Sequence, residues 1–256
     1  MGRFSNLELE AEPRVELEVT KPAIDERYFL DRADVAYWSG DHEPALKYYT
    51  RALELDKRQA RGWLGQVMCL VELDEPREAQ VWSDKALELL GSEAELLAGK
   101  SIAMTRLGDP ASGIALSDAA LARPGTSALR WRARGEAMLG RDARNAAYCF
   151  AKSIAEDARD GRVHLDVGRV CLYHRRPAMA VAHLARGCEL LPGSAWCWTN
   201  LGLAREALGQ TEPALDAYSQ ALLLDRAQRV ASARAAALAH RSVAARLLSW
   251  LRSWWR

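Results

Sequence analysis

A period of 34 residues runs through most of this 256-residue chain and limits the folds available to it. Small residues recur at this interval in three series, and the one irregularity is a single missing residue between Gly135 and Ala146. Self-similarity at such a period is typical of repeat architectures, in which each unit contacts only its neighbours. The sequence therefore predicts one elongated domain. The series are Ala33, Val67, Ser101, Gly135, Gly168 and Gly202; Ala45, Ala79, Gly113, Ala146, Ala180 and Ala214; and Ala52, Ala86, Ala120, Ser153, Gly187 and Ala221.

Each unit has the pattern of two short amphipathic helices joined by a turn. In residues 195–228, Trp198, Leu201 and Gly202 recur at helical spacing, Gly209 ends the first helix, and a second apolar face follows. Proline supports the assignment, because all nine prolines fall outside the interiors of the proposed helices. The turn between the two helices of each unit is placed at Gly40, Asp74, Gly108, Gly140, Arg175 and Gly209.

Composition favours an all-α protein that buries a continuous core. Hydrophobic residues make up 49% of the chain, and alanine and leucine dominate where a sheet protein would have valine, isoleucine and threonine. The five cysteines include no C-x-x-C pair and lie among apolar helical residues, which indicates free core thiols in a reducing compartment.

The order W-x-x-L-G, then L-G, A, Y and A-L, in residues 195–228 resembles the tetratricopeptide repeat. The resemblance implies a right-handed α-solenoid of about six helix-turn-helix repeats with a C-terminal capping helix. Residues 1–25 would form an acidic arm, residues 26–228 the repeats, and residues 229–256 a basic, Trp-rich amphipathic helix. The repeats are assigned to residues 26–59, 60–93, 94–127, 128–160, 161–194 and 195–228.

In this family the first helices line a concave groove where partner peptides bind. The resemblance implies a partner-binding groove at Arg132, Arg162, Arg169, Trp196 and Asn200, which combines cations with an aromatic anchor. Acids at positions 136 and 166 argue against the clamp by which some members hold a chaperone's terminal carboxylate. We therefore expect a non-enzymatic scaffold or adaptor that binds a protein or peptide and supports complex assembly.

Motifs for catalysis or for small ligands are missing from the sequence. No histidine pairs with another ligand at a spacing that a metal requires, and neither a phosphate-binding glycine loop nor a G-x-S-x-G motif occurs. We expect no enzyme activity, no cofactor, no metal and no small-molecule substrate. The nearly neutral middle of the chain also gives no general attraction to nucleic acid.

Opposite charges are concentrated at the two ends of the chain. Residues 1–25 carry three basic and six acidic side chains, and residues 7–19 alternate apolar and acidic residues until Pro13 interrupts them. This arm is either disordered or orders against a partner. No secretory signal precedes it, so we expect a cytoplasmic protein.

The segment 229–256 carries six arginines and no acid, and its second half places tryptophan and leucine along one stripe. Arginine interrupts its apolar runs, so it is not suited to cross a bilayer. Its stripe either packs on protein or lies at the inner membrane face, with anionic lipid as the counter-charge. The predicted contact residues are Trp250, Leu251, Arg252, Trp254 and Trp255.

Sedimentation with lipid vesicles separates the two alternatives for this segment. A lipid-binding helix pellets the intact chain with anionic vesicles at low salt, less at high salt, and not with neutral vesicles. A chain ending at Ala245 is the matched control and should stay in the supernatant. If neither chain pellets, the membrane alternative is wrong, and a changed oligomeric state on truncation would then favour a protein interface.

Overall fold

A computed structural model describes residues 25–240 of the chain, and within this range all regular structure is helical. Twelve helices have both ends inside the range, and residues 229–240 are also helical. They are α1 (Glu26–Ser39), α2 (His42–Leu55), α3 (Ala60–Glu72), α4 (Pro76–Leu90), α5 (Ala94–Arg106), α6 (Pro110–Leu121), α7 (Ala128–Met138), α8 (Ala143–Glu156), α9 (Gly161–Tyr173), α10 (Pro177–Leu190), α11 (Ala195–Ala207) and α12 (Thr211–Leu224).

The helices pack as antiparallel pairs, α1 with α2, α3 with α4, and so on to α11 with α12. Each first helix also contacts the first helix of the next pair, so α1, α3, α5, α7, α9 and α11 form an inner layer. The second helices lie outside it. The predicted all-α solenoid is confirmed by this arrangement.

Local sequence explains where the helices begin and end. Asp109, Ser127, Asp142 and Ser194 accept hydrogen bonds from backbone N–H groups in the first turn of the following helix. Five of the six turn positions assigned from the sequence have a positive φ, and at Asp74 (61°) and Arg175 (56°) the residue is not glycine. Gly140 lies outside this region of φ, in the pair whose first helix, α7, is the shortest at 11 residues.

Close packing explains the periodic small residues, because every member of the three series is buried. A Cβ atom at Gly202 would lie 2.4 Å from the Tyr218 ring, and one at Gly168 would lie 2.5 Å from Leu184. In these pairs a large residue of the second helix fills the space above a first-helix glycine. Small residues are required there because the two backbones approach each other closely.

Substitution of Gly202 by valine should overpack this crossing. The Tyr218 hydroxyl donates a 2.8 Å hydrogen bond to Glu206, so the ring is held in place and the new side chain must displace it. We expect the free energy of unfolding to fall by about 1–3 kcal/mol. Urea denaturation measures it, with Gly140→Val as control, because a Cβ at Gly140 has no neighbour within 4 Å. Equal stability of the two variants would contradict the packing account.

Candidate functional site

Six charged side chains project from the inner helices into the axis of the superhelix, and we call them the axial cluster. They come from four consecutive pairs: Glu72 on α3, Arg106 on α5, Arg132 and Glu136 on α7, and Asp166 and Arg169 on α9. Arg132 and Glu136 are only 2% and 1% exposed, and Arg169 is 7% exposed. Buried charged side chains of the chain itself therefore occupy part of the inner surface on which the partner groove was predicted.

Ion pairs connect the cluster from one repeat to the next. The Arg106 Nε donates to the Glu136 carboxylate at 2.8 Å, and the Arg106 Nη1 donates to the Val71 carbonyl at 3.0 Å. Arg169 donates to Glu72, which lies three repeats earlier along the inner layer. The resulting contacts join repeats two to five through side chains instead of through helix packing alone.

Asp166 is held more loosely than the other two carboxylates. Its oxygens lie 3.7 Å from the Arg132 Nη1 and 3.9 Å from the Arg169 Nη1, and its Oδ1 is buried without a hydrogen bond. Buried polar atoms without partners carry a desolvation cost. Further atoms of this kind in the cluster and beside it are the Glu72 Oε1, the Glu136 Oε2, the Arg132 Nε, the Arg169 Nη1, the His42 Nδ1 and the Trp196 Nε1.

The neighbouring charges change the acidity of these groups in different directions. Burial alone would raise the pKa of Glu136, but Arg106 and a hydrogen bond with His174 outweigh it and lower the pKa to about 2. The pKa of Glu72 is also lowered, because Arg169 and Arg106 outweigh its burial. At Asp166 burial dominates and raises the pKa despite Arg132 and Arg169. Glu72 and Glu136 are thus firmly ionised partners, whereas Asp166 is poorly stabilised as an anion.

The first repeat closes over the axial cluster and meets the fifth and sixth repeats, and we call this contact the seam. The indole of Trp196 packs against Gly40, where a Cβ atom would lie 2.5 Å from the ring. The Arg169 Nη2 lies 3.2 Å from the His42 Nε2. On the outer side, the Gln228 Nε2 donates to the Ser39 carbonyl at 3.3 Å. The superhelix therefore contacts itself within the six helix pairs of residues 25–240.

The seam leaves a pocket of about 480 Å³ beside it, which we call the seam pocket. Arg162 lies at its edge, exposed, with its guanidinium 5.3 Å from the centre of the Trp38 ring. Val35 is 67% exposed in the same pocket. The other lining residues are Ser39, Leu165, Leu190, Leu191, Pro192, Gly193 and Ser194.

The five residues predicted for the partner groove do not form one accessible surface. Arg132 and Arg169 belong to the axial cluster, and Asn200 is 4% exposed and donates to the Trp196 carbonyl of its own helix at 2.8 Å. Trp196 is half-buried in the seam, and Arg162 alone is exposed. That these residues contact a partner stays a prediction. The five contact residues proposed between positions 250 and 255 lie outside the described residues.

Sequence reasoning missed Glu72 and Arg106 as members of this site. A signal for them exists, because Glu72 and Arg106 are 34 residues apart and so occupy equivalent positions of consecutive repeats. Their side chains lie 3.7 Å apart across the inner layer. The period that was used to find small residues would also have found this pair of opposite charges.

Neither a metal-binding cluster nor a membrane-spanning helix occurs among the described residues. No three His, Cys, Asp or Glu side chains in residues 25–240 are placed to hold a metal ion. All five cysteines are buried thiols, and the Sγ atoms of Cys188 and Cys197 lie 3.4 Å apart. Among these residues no helix has the length and apolar character needed to span a membrane.

A class of protein follows from these features: a solenoid of helix pairs with a nearly closed axis. Residues 27–59 and 197–228 match the sequence model of the tetratricopeptide repeat, and they coincide with the first and last helix pairs. No curated protein sequence matches the chain.

Solved structures of tetratricopeptide-repeat proteins resemble this fold. One from Thermus thermophilus is 16% identical over 83% of this chain and 98% of its own, with a TM-score of 0.51. One from Parabacteroides merdae is 16% identical over 86% of each chain, with a TM-score of 0.52. The human IFIT1 dimer with PPP-AAAA is 14% identical over 77% of this chain and 49% of its own, with a TM-score of 0.54. Two segments of the chain match the family model and the fold is that of tetratricopeptide-repeat structures, so the predicted tetratricopeptide-repeat fold is confirmed.

The buried His42 should make stability depend on pH. Burial and the nearby Arg169 cation lower the pKa of His42 to about 4, whereas in the unfolded chain it titrates near 6.5. Between these values the unfolded state binds the proton and the folded state does not, so stability falls as pH falls, by at most about 1.4 kcal/mol per pH unit.

Urea denaturation between pH 7 and pH 4.5 tests this for the intact chain. In the variant His42→Gln the free energy of unfolding should depend less steeply on pH. Some dependence will remain, because burial also lowers the pKa values of His164 and His183. His240→Gln serves as control because His240 is exposed. An unchanged slope in His42→Gln would show that this histidine takes up its proton normally in the folded state.

Proposed function

We propose that this chain is a non-enzymatic protein-interaction scaffold that binds a segment of a protein partner at the seam pocket. The observation that carries the proposal is the exposed Arg162 guanidinium over Trp38 beside an apolar cavity. Arginine and tryptophan are the residue types that most often dominate binding energy at protein interfaces. Of the five residues predicted for the partner groove, Arg162 is the one that a partner reaches without any rearrangement.

The chemistry of the pocket selects the kind of partner segment. Among the described residues that line it, Arg162 is the one that carries a charge, and most of the others are apolar. An apolar side chain could fill the cavity while a neighbouring carboxylate pairs with Arg162, because arginine binds carboxylates through two parallel hydrogen bonds. We therefore propose an acidic segment with at least one bulky apolar residue.

Binding of a peptide along the superhelical axis would require the closed structure to open. A peptide there must separate Gly40 from Trp196 and expose the ion pairs of the axial cluster, in which Glu136 and Arg106 already bind each other. The seam pocket needs no such opening. It also joins residues of the first and fifth repeats, so a bound partner would stabilise the seam and support assembly of a complex on the closed form.

The test begins with a pull-down of partners from the native host and continues with their affinities for variants. Arg162→Glu should weaken binding by about tenfold or more, since hot-spot residues contribute at least about 2 kcal/mol. Trp38→Ala should weaken it similarly, in a chain whose melting confirms that it folds. The matched control is Arg144→Glu, an exposed arginine on α8. If both seam-pocket variants bind as the unmodified chain does, the proposed site is wrong.

A further inference from the structure

A second cavity lies between the outer helices of the first two repeats. It has a volume of about 590 Å³, and α2 and α4 form its walls while the start of α3 forms its floor. We call it the outer groove. It shares no lining residue with the seam pocket. Its lining residues are Thr50, Leu53, Glu54, Lys57, Trp63, Gln66, Trp82, Lys85, Glu88 and Leu89.

Two tryptophans give the outer groove an apolar surface of fixed shape. The centres of the Trp63 and Trp82 rings lie 5.9 Å apart, and the Trp63 Nε1 donates to the Lys57 carbonyl at 2.8 Å. Trp82 is half-buried and Leu89 is 50% exposed, so apolar area remains open to water. Open apolar area of this kind marks a contact surface.

The rim of the outer groove carries lysine cations that are not neutralised by ion pairs within residues 25–240. The Lys85 Nζ lies 4.7 Å from the centre of the Trp82 ring, and Lys57 makes no ion pair among residues 25–240. The next residue, Arg58, is exposed in the same turn. Of the two carboxylates that line the groove, Glu54 is paired with Arg51 at 2.5 Å, and Glu88 makes no ion pair with any residue in the range 25–240.

We propose that residues 15–19 of this chain bind in the outer groove. Their sequence is Val-Glu-Leu-Glu-Val, so in an extended conformation Val15, Leu17 and Val19 face one side and the two glutamates the other. The apolar side fits the tryptophan surface, and Glu16 and Glu18 fit the cations of Lys57 and Lys85 at the rim.

The path of the chain permits this contact. Helix α1 begins at Glu26 with Asp25 as its cap, and Leu30, five residues further on, lies near Gly62 at the start of α3. Leu53 of the groove also lies beside Gly62. The six Cα-to-Cα steps from Val19 to Asp25 span up to about 20 Å when extended, which is enough to pass the α2–α3 turn and enter the groove.

The charge of the C-terminal segment argues against it as the occupant of the outer groove. Residues 241–256 carry four arginines and no acid, so they offer nothing to Lys57 and Lys85. The arm of a second copy has the same chemistry as the arm of the first. The experiment therefore has to distinguish contacts within one chain from contacts between two.

Zero-length coupling of carboxylates to lysines with a carbodiimide, followed by trypsin digestion and mass spectrometry, tests the proposal on the intact chain. Trypsin releases residues 15–27, because it does not cleave between Lys21 and Pro22, and fragment spectra then locate each link at Glu16 or Glu18.

We expect Glu16 and Glu18 to be joined to Lys57 or Lys85 about tenfold more often than to Lys152, since burying one large apolar side chain shifts a population by about that factor. Lys152 is a matched reference because its Nζ, like that of Lys85, lies over an aromatic ring, here that of Tyr148 at 5.7 Å. Equal coupling to all three lysines would overturn the proposal.

Two variants, each with a matched control, test whether the coupling depends on the apolar contact between the arm and the groove. Leu17→Ser and Trp82→Ala should each reduce the coupling of Glu16 and Glu18 to the groove lysines by about tenfold. Leu9→Ser, elsewhere in the arm, and Tyr148→Ala, on α8, should leave it unchanged. Variants that lose coupling without losing their melting transition exclude unfolding as the reason.

A mixture of isotopically heavy and light chains completes the experiment. Coupled peptides that are entirely heavy or entirely light support binding within one chain. Peptides of mixed label would instead place the arm of one copy in the groove of another, and they would overturn the proposal in its present form.

Discussion

The pairing of three arginines with three carboxylates along the superhelical axis is the interaction on which the shape of this protein depends. A buried charge without a partner costs several kcal/mol, so each of these side chains restricts the position of the helix that carries its counter-charge. Arg106 on α5 bonds Glu136 on α7, and Arg169 on α9 bonds Glu72 on α3. Four consecutive repeats are thereby fixed relative to one another, which neighbour-to-neighbour helix packing alone does not achieve.

The fold could be predicted from the sequence because its determinants are local and periodic. Gly202 must be small since Tyr218 crosses it, and small residues recur at the same position of every repeat at intervals of 33 or 34 residues. The positions of the turns could also be predicted from the sequence. Asp74 and Arg175 were placed in turns only because they stand where other repeats have glycine, and both have a positive φ.

The candidate site was harder to predict because it depends on how much the array curves. Family resemblance placed Arg132, Arg169 and Asn200 on a concave surface, but curvature is the sum of small rotations between repeats, and no single residue determines it. In the structure the curvature is strong enough to bury all three. Arg162 stays exposed because it lies in the first turn of α9, away from the axis and beside the seam.

Closure of the seam also limits how this protein can change in length. In an open array a repeat can be gained or lost at small cost, because each unit needs only its neighbours and stability is nearly a sum over units. Here Trp196 of the sixth repeat must meet Gly40 of the first. A repeat inserted or deleted between them would carry the indole past this contact, and a change between the second and fifth repeats would also separate Arg169 from His42 and Glu72. The number of repeats is therefore part of the tertiary structure, and duplication of a repeat, a common route of evolution for solenoids, is disfavoured between these two residues.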